Sequence, residues 1–248
     1  MRKPALLILL FIFLAGVGFF GARLLDQRRL PVAPSIPVTT PESAPTAETP
    51  IPLTSAAIPA LHGLIRVMDP SLFVDLRYNT PNNFTGQRIY PQAYLVMNQH
   101  TARILAAANV ELQSLGYRLK IWDAYRPLSA QRMLWKKYPH GGFVADPRTG
   151  SMHNRGAAVD VTLVDAQGQE VLMPSAFDEF SPRAEIYYRQ APSEAIRNRD
   201  LLARVMCKHG FRRIKHEWWH FEDKQGTAWP LLDVPFSAFA GAKQQERD

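Results

Sequence analysis

A histidine and an aspartate seven residues apart, in Ser151-Met-His-Asn-Arg-Gly-Ala-Ala-Val-Asp160, are answered far downstream by Glu217-Trp-Trp-His220. These two stretches constrain the chain most, because a fold that uses them must bring residues remote in sequence to one point. Gly156 permits a sharp backbone change between the His and the Asp. From Ala157, Ala-Ala-Val-Asp-Val-Thr-Leu then reads as a buried strand. Two histidines and one carboxylate, with a spare glutamate beside them, are what a catalytic zinc ion requires. They give three protein ligands, an open position for water and a base to take its proton. Taken singly, each residue has a plainer reading. A lone His more often packs in a core or sits at the surface, and an Asp at a strand end is usually a cap or turn residue.

The same residues spell a rival arrangement. His216-Glu-Trp-Trp-His220 has the form H-E-x-x-H, which on a helix places two ligands one turn apart. Its flanks, Phe-Arg-Arg-Ile-Lys and Phe-Glu-Asp, are aromatic and charged rather than helix-patterned. No histidine follows His220, so a third ligand would have to come from Glu222, Asp223, Asp233, Glu246 or Asp248. Ligands from upstream are therefore the expectation. One geometric question stays open. In a regular strand Glu217 and His220 point to opposite faces, and both reach one ion only if a bulge or bend intervenes.

The chain divides into three parts. Arg2 and Lys3 precede Pro4 to Ala22, a run without charge that is almost wholly aliphatic or aromatic. Residues 1–30 are thus expected to act as a signal peptide or membrane anchor, directing export to the periplasm or another extracytoplasmic space. Residues 31–60 carry eight of the 20 prolines and only Glu42 and Glu48 as charges. Such a segment cannot bury enough apolar surface to order itself and is expected to be a disordered tether. Residues 61–248 have the length of one domain with a real core. They hold 24 Lys/Arg against 19 Asp/Glu, leaving +5 of the net +7. These charges are scattered, without the clustered stripe or aromatic interleaving of a nucleic-acid surface, so nucleic acid is not an expected partner. The lone Cys207 cannot form an intramolecular disulfide and is expected to be a buried structural thiol.

Within residues 61–248, Arg77 to Gly86 reads as a turn-rich loop. Asn98 to Leu115 reads as a helix with Ile104, Leu105, Ala108, Leu112 and Leu115 on one face, ended by Gly116. Tyr117 to Trp122 alternates as a strand, and Asp123 to Pro127 turns into a second helix reaching about Tyr138. Gly141 to Met152 is a loop, Ala157 to Val164 a strand, and Glu194 to His209 a third helix closed by Gly210. Phe211 to Glu222 makes a pair of strands or one bent strand. The pattern predicts a compact single α+β domain with a small, mainly antiparallel sheet flanked by helices.

Trp-Asp-Ala-Tyr-Arg-Pro (122–127), Ser-Met-His-Asn-Arg-Gly-Ala-Ala-Val-Asp (151–160), Phe-Asp-Glu-Phe (177–180) and Glu-Trp-Trp-His (217–220) stand in the order and spacing of the D-alanyl-D-alanine dipeptidases. Asp75-Leu-Arg-Tyr78 followed by Asn-Phe-Thr-Gly (83–86) is similar to the amino-terminal segment of those zinc enzymes of the vancomycin-resistance type. The resemblance covers nearly all of 61–235 and implies the zinc D-Ala-D-Ala peptidase, or hedgehog-like, fold. It implies one Zn2+ held by His153, Asp160 and His220, and Glu217 as the base. Arg126 would face the tetrahedral intermediate. Tyr78 and Asp178 would lie near the substrate's ammonium, and the loop at Ser151 near its carboxylate. It gives no ligand role to the position of His216. On residue type alone, Arg126 can equally be a structural ion-pair partner of Asp123, Asp178 a turn acid and Tyr78 a packing residue.

Three functions follow as expectations. The first is zinc-dependent hydrolysis of the D-Ala-D-Ala dipeptide in cell-wall peptide turnover. The second is a D,D-carboxypeptidase or endopeptidase trimming peptidoglycan stem peptides. The third is a non-catalytic wall-binding module with structural zinc, against which Glu217 speaks, because a structural site needs no spare base.

Overall fold

The computed structural model describes residues 61–241. The expected export segment and tether, residues 1–60, lie outside the described residues, as do 242–248. Seven strands and three helices run in the order β1 (Leu64–Arg66), β2 (Phe73–Val74), β3 (Val96–Asn98), α1 (Gln99–Ser114), β4 (Arg118–Asp123), α2 (Leu128–Lys137), β5 (Ala158–Val164), α3 (Ser193–Lys208), β6 (Phe211–Arg213) and β7 (His220–Asp223). β1 and β3 form a small antiparallel pair. The other five strands make one sheet in the order β2-β4-β5-β7-β6. Its pairings are antiparallel except β2 with β4, which is parallel. The architecture is α+β with a mainly antiparallel sheet, as the element pattern predicts.

β5 lies at the centre of that sheet, and all seven of its residues are buried. Val159, Val161 and Leu163 join Leu105, Ala108 and Leu112 of α1 and Leu202, Val205 and Met206 of α3 in one apolar core. Each such aliphatic side chain contributes roughly 1.5–3 kcal/mol on burial. Alternation sends Asp160 to the opposite face of the strand. Helix α1 starts where the Asn98 side chain accepts from His100 N at 2.9 Å. It ends before Gly116, whose φ is +84°. Asn109, on its buried face, accepts from Leu119 N at 2.9 Å and so ties the helix to β4. Leu115 departs from expectation: it is 49% exposed, because it stands past the last helical turn where the chain bends away. Cys207 on α3 is half-buried rather than fully enclosed.

Two details of register carry the site. On β4 and β5, Ile121 pairs with Val161, but Asp123 then pairs with Asp160. The extra residue on β4 is a bulge at Trp122, which turns Asp123 to the side of Asp160. β7 continues the rung by pairing His220 with Asp160. Asp123, Asp160 and His220 thus stand side by side on three adjacent strands.

His153 comes from a 3-10 turn at Met152–Arg155 that ends at Gly156, with φ +65°. A Cβ there would lie 2.4 Å from Leu64 Cδ2 and 2.8 Å from the Asn98 amide nitrogen. Strain and collision act together, so Gly156→Ala is expected to destabilise the fold by roughly 2–4 kcal/mol. Urea denaturation measures this. Gly141→Ala, at a position with nothing within 4 Å of the added carbon, is the control and should shift stability by less than about 0.5 kcal/mol.

Candidate active site

The turn that carries His153 opens with a capping box: the Ser151 hydroxyl accepts from His153 N, and the Asn154 side chain accepts from Ser151 N. His153 Nδ1 donates to the Ala124 carbonyl at 2.7 Å, and Arg126 N donates to the His153 carbonyl at 3.1 Å. The turn is therefore stitched to the segment leaving β4. With its proton on Nδ1, a neutral His153 ring presents a bare Nε2. His220 is arranged the other way round. In its neutral form its Nε2 donates to Glu222 Oε1 at 3.3 Å and leaves Nδ1 bare.

These inward atoms meet. His153 Nε2 is 3.1 Å from His220 Nδ1, His220 Nδ1 is 3.0 Å from Asp160 Oδ1, and His153 Nε2 is 3.3 Å from Asp160 Oδ1. All three residues are buried, and they form a group that can hold one metal ion. Donors bound tetrahedrally at ~2.1 Å stand about 3.4 Å from one another, close to the spacing found. Three acceptors facing one another in a buried place need a positive charge among them.

Glu217 does not belong to a strand. The chain from Glu217 to His220 is a turn, closed by His220 N donating to the Glu217 carbonyl at 3.3 Å. This turn answers the question of opposite faces: both side chains reach one place, and Glu217 Oε2 lies 3.8 Å from His220 Nδ1. Trp218 and Trp219 fix the turn from below. Both are fully buried, and Trp218 donates through Nε1 to Ser175 Oγ at 2.9 Å. His216 is left outside, partly exposed, near Glu185 and the edge of Phe143. No helix forms at H-E-x-x-H, and the one-turn spacing of a zincin does not arise.

A cavity of about 310 Å³ opens over these groups, lined among others by Tyr78, Arg126, Ser151, Asp178 and Glu217. Such a volume lies at the small end of ligand pockets (~300–1,000 Å³). Arg126 is buried, and the expected ion pair with Asp123 is present: Nε and Nη2 reach Asp123 Oδ2 at 3.0 and 2.6 Å. Nη1 donates to Gln131 at 2.8 Å, and the guanidinium lies 5.0 Å over the Tyr78 ring. Arg126 is thus both ion-paired and part of the cavity wall. Tyr78 donates through its hydroxyl to Asp178 Oδ1 at 3.2 Å, and Phe84 N donates to Asp178 Oδ2 at 3.4 Å. Asp178 adopts φ +58°, a conformation disfavoured for an L side chain, and it sits at the cavity rather than in a plain solvent turn.

Burial dominates the electrostatics. It pushes the Glu217 carboxyl up to about 8, with Asp160 and Asp178 adding to the rise and His220 and Arg126 opposing it. Burial likewise pushes Asp178 up to about 7, assisted by the charge of Asp160. For Asp160 burial is outweighed by His153 and His220, which hold it well below the usual carboxylate range. His220 is lifted to about 10 against burial by Asp160, Glu222 and Glu217.

Sequence reading brought His153, Asp160, His220, Glu217, Arg126, Tyr78, Asp178 and Ser151 to attention, and the fold gathers all eight around one cavity. It did not single out Gln131, Glu222 or Arg212 as supports. The signal for Glu222 was available: His-x-Glu on a strand puts both side chains on one face.

Comparison with known proteins places the chain in a family. The family model described as D-ala-D-ala dipeptidase matches residues 61–241. The D-alanyl-D-alanine dipeptidase of Escherichia coli (strain K12) is 41% identical over 175 residues, covering 71% of this chain and 91% of the relative. That of Enterococcus faecalis is 30% identical over 186 residues, 65% of this chain and 87% of the relative. That of Streptomyces coelicolor is 30% identical over 172 residues, 61% and 85% respectively.

The shifted groups give the metal-stripped protein a definite pH dependence. Glu217 rises from 4.5 to about 8, Asp178 from 3.8 to about 7 and His220 from 6.5 to about 10. Each keeps its proton in the folded chain where the unfolded chain has lost it, so stability falls as pH rises through that window. Asp160 and Glu222, held low, act only below about pH 4.5. In the presence of a chelator, melting temperature is expected to decline steadily from pH 5 to 9, and Glu217→Gln to flatten the part below pH 8. A profile that rises over this range would contradict the assignment.

Proposed function

The chain belongs to the D-Ala-D-Ala dipeptidase family, and from that premise we propose that it hydrolyses the free D-Ala-D-Ala dipeptide at a zinc centre held by His153, Asp160 and His220. The observation that carries the proposal is the meeting of three buried donor atoms 3.0–3.3 Å apart beside a buried glutamate. With both rings neutral, the outer hydrogen bonds of His153 and His220 leave their lone pairs, not protons, toward the centre. A zinc ion in that position supplies Lewis acidity and a water whose pKa falls to about 7.

The remaining steps fall to the chain's own residues. Glu217 takes the proton of the attacking water and passes it to the leaving amine. Glu217 Oε2 lies 3.8 Å from His220 Nδ1, where a bound zinc ion would hold the carboxyl ionised and ready to accept that proton. Arg126 presents a permanent cation to the oxygen that gains charge as the carbonyl becomes tetrahedral. Asp123 and Gln131 hold its fork beforehand, so no reorganisation accompanies the reaction, and one such contact is commonly worth ~3 kcal/mol. Asp178, supported by Tyr78 and the Phe84 amide, forms the anionic wall for the substrate ammonium, whose arrival favours the ionised carboxyl. Ser151 accepts a hydrogen bond at its own cap, which leaves its hydroxyl proton to meet the substrate carboxylate.

A free dipeptide brings one charge at each end, and burying either end unpaired costs several kcal/mol. The anionic wall at Asp178 therefore favours a free ammonium over the acyl chain of a stem peptide. We extend the proposal to residues 1–60 as an export signal or anchor followed by a tether. These would place the domain outside the cytoplasm, where cell-wall turnover releases such dipeptides.

The decisive experiment is a zinc-dependent assay on D-Ala-D-Ala and on a stem pentapeptide, run on the same preparation. Dipeptide hydrolysis is expected, with little release of terminal D-Ala from the pentapeptide; brisk release would move the assignment to a carboxypeptidase. Glu217→Gln should lower kcat by about 10³-fold while zinc stays bound. His153→Ala should lose the zinc and His216→Ala should keep it, by elemental analysis; the reverse pair would restore the zincin arrangement.

A further inference from the structure

His220 and Glu222 are two residues apart on β7, so their side chains leave the strand on one face. Arg212 stands opposite Glu222 in the β6–β7 register. The three make a line leading away from the donor cluster: His220 Nε2 to Glu222 Oε1 at 3.3 Å, and Glu222 Oε2 to Arg212 Nε at 2.8 Å. An ordinary cross-strand ion pair would occupy Glu222 with Arg212 alone. Here the second oxygen engages the one ring nitrogen that faces away from Asp160 and His153.

A neutral imidazole has one proton for two nitrogens, and the nitrogen bonded to an acceptor keeps it. For His153 that acceptor is the backbone carbonyl of Ala124, which no substitution removes. For His220 it is a side chain. The glutamate lines the cavity, so without Arg212 its carboxylate would be free to turn away from the ring.

Resting on the zinc reading above, we propose that Glu222, anchored by Arg212, is a positioning residue: it holds the proton of His220 on Nε2, so that Nδ1 is the atom offered to the metal. Glu222 touches neither the reacting atoms nor the other two ligands through any hydrogen bond among the described residues. Its effect passes through the orientation of one ring.

The test uses the full-length chain. Zinc affinity is measured by competition with a chromophoric chelator, and the His220 ring is followed by its ¹⁵N shifts in the zinc-bound protein. Glu222→Ala should weaken zinc binding by about 10–100-fold and abolish the protected Nε2–H signal. Glu222→Gln, which retains an acceptor oxygen, should recover most of the affinity, and Arg212→Ala should fall between. Thermal melts of the stripped variants separate these effects from misfolding. If Glu222→Ala binds zinc as tightly as the parent and His220 still ligates through Nδ1, the positioning role is overturned and Glu222 is only Arg212's strand partner. If the parent binds no zinc, or His153→Ala retains it, the zinc reading falls instead, and the two failures are distinct.

Discussion

Three acceptor atoms held within 3.0–3.3 Å of one another in a buried place repel unless a positive charge stands among them, and much of this fold serves to keep them there. His153 Nε2, His220 Nδ1 and Asp160 Oδ1 cannot drift apart, because each is pinned from behind. The Ala124 carbonyl holds one ring and Glu222 the other. Asp160 is fixed by its place at the centre of the sheet, on a strand buried along its whole length. A proton on His220 relieves the repulsion in one way, and a divalent cation relieves it more completely because all three atoms share it. The scaffold's stability and its appetite for a cation therefore arise from the same contacts.

The sheet and the turns divide the work. Residues that must be spaced to a few tenths of an ångström, Asp123, Asp160 and His220, occupy one rung across β4, β5 and β7. Cross-strand spacing is the most reproducible distance a sheet offers, and a single bulge at Trp122 aligns Asp123 with the rung. Residues that must reach over the rung, His153 and Glu217, come from turns instead. A turn is a poor platform unless it is held, and here packing holds it. Trp218 and Trp219 meet edge to face at 5.5 Å in the main core, with Trp122 at 5.9 Å from Trp218. The aromatic run in Glu-Trp-Trp-His is thus the foundation of Glu217, and Trp219 also lines the cavity.

This division explains what could be read from the sequence and what could not. The helices were legible because periodicity and Gly116 and Gly210 report local physics. β5 was legible because a continuous apolar run around one aspartate has few other uses. The short strands β1, β2 and β3, of two or three residues each, carry no pattern long enough to register and exist only because neighbours pair with them. The relation between Glu217 and His220 could be posed from the sequence but not settled, since period-two alternation forbids it and only a tertiary turn permits it. Glu222 and Arg212 escaped for a related reason: they act through register, and register is a property of two strands at once.

Net charge is a poor guide to this cavity. The chain carries +7 overall, yet the cavity wall sets Asp160, Asp178, Glu217 and Glu222 against Arg126 and Arg155. Arg126 is already committed to Asp123, and Glu222 to Arg212. With no cation from outside, burial makes the remaining carboxyls costly to ionise, which is why Glu217 and Asp178 are pushed up to about 8 and 7. Such a site is completed by cations from outside. On the reading proposed above, these would be a divalent ion at the rung and the substrate ammonium at Asp178.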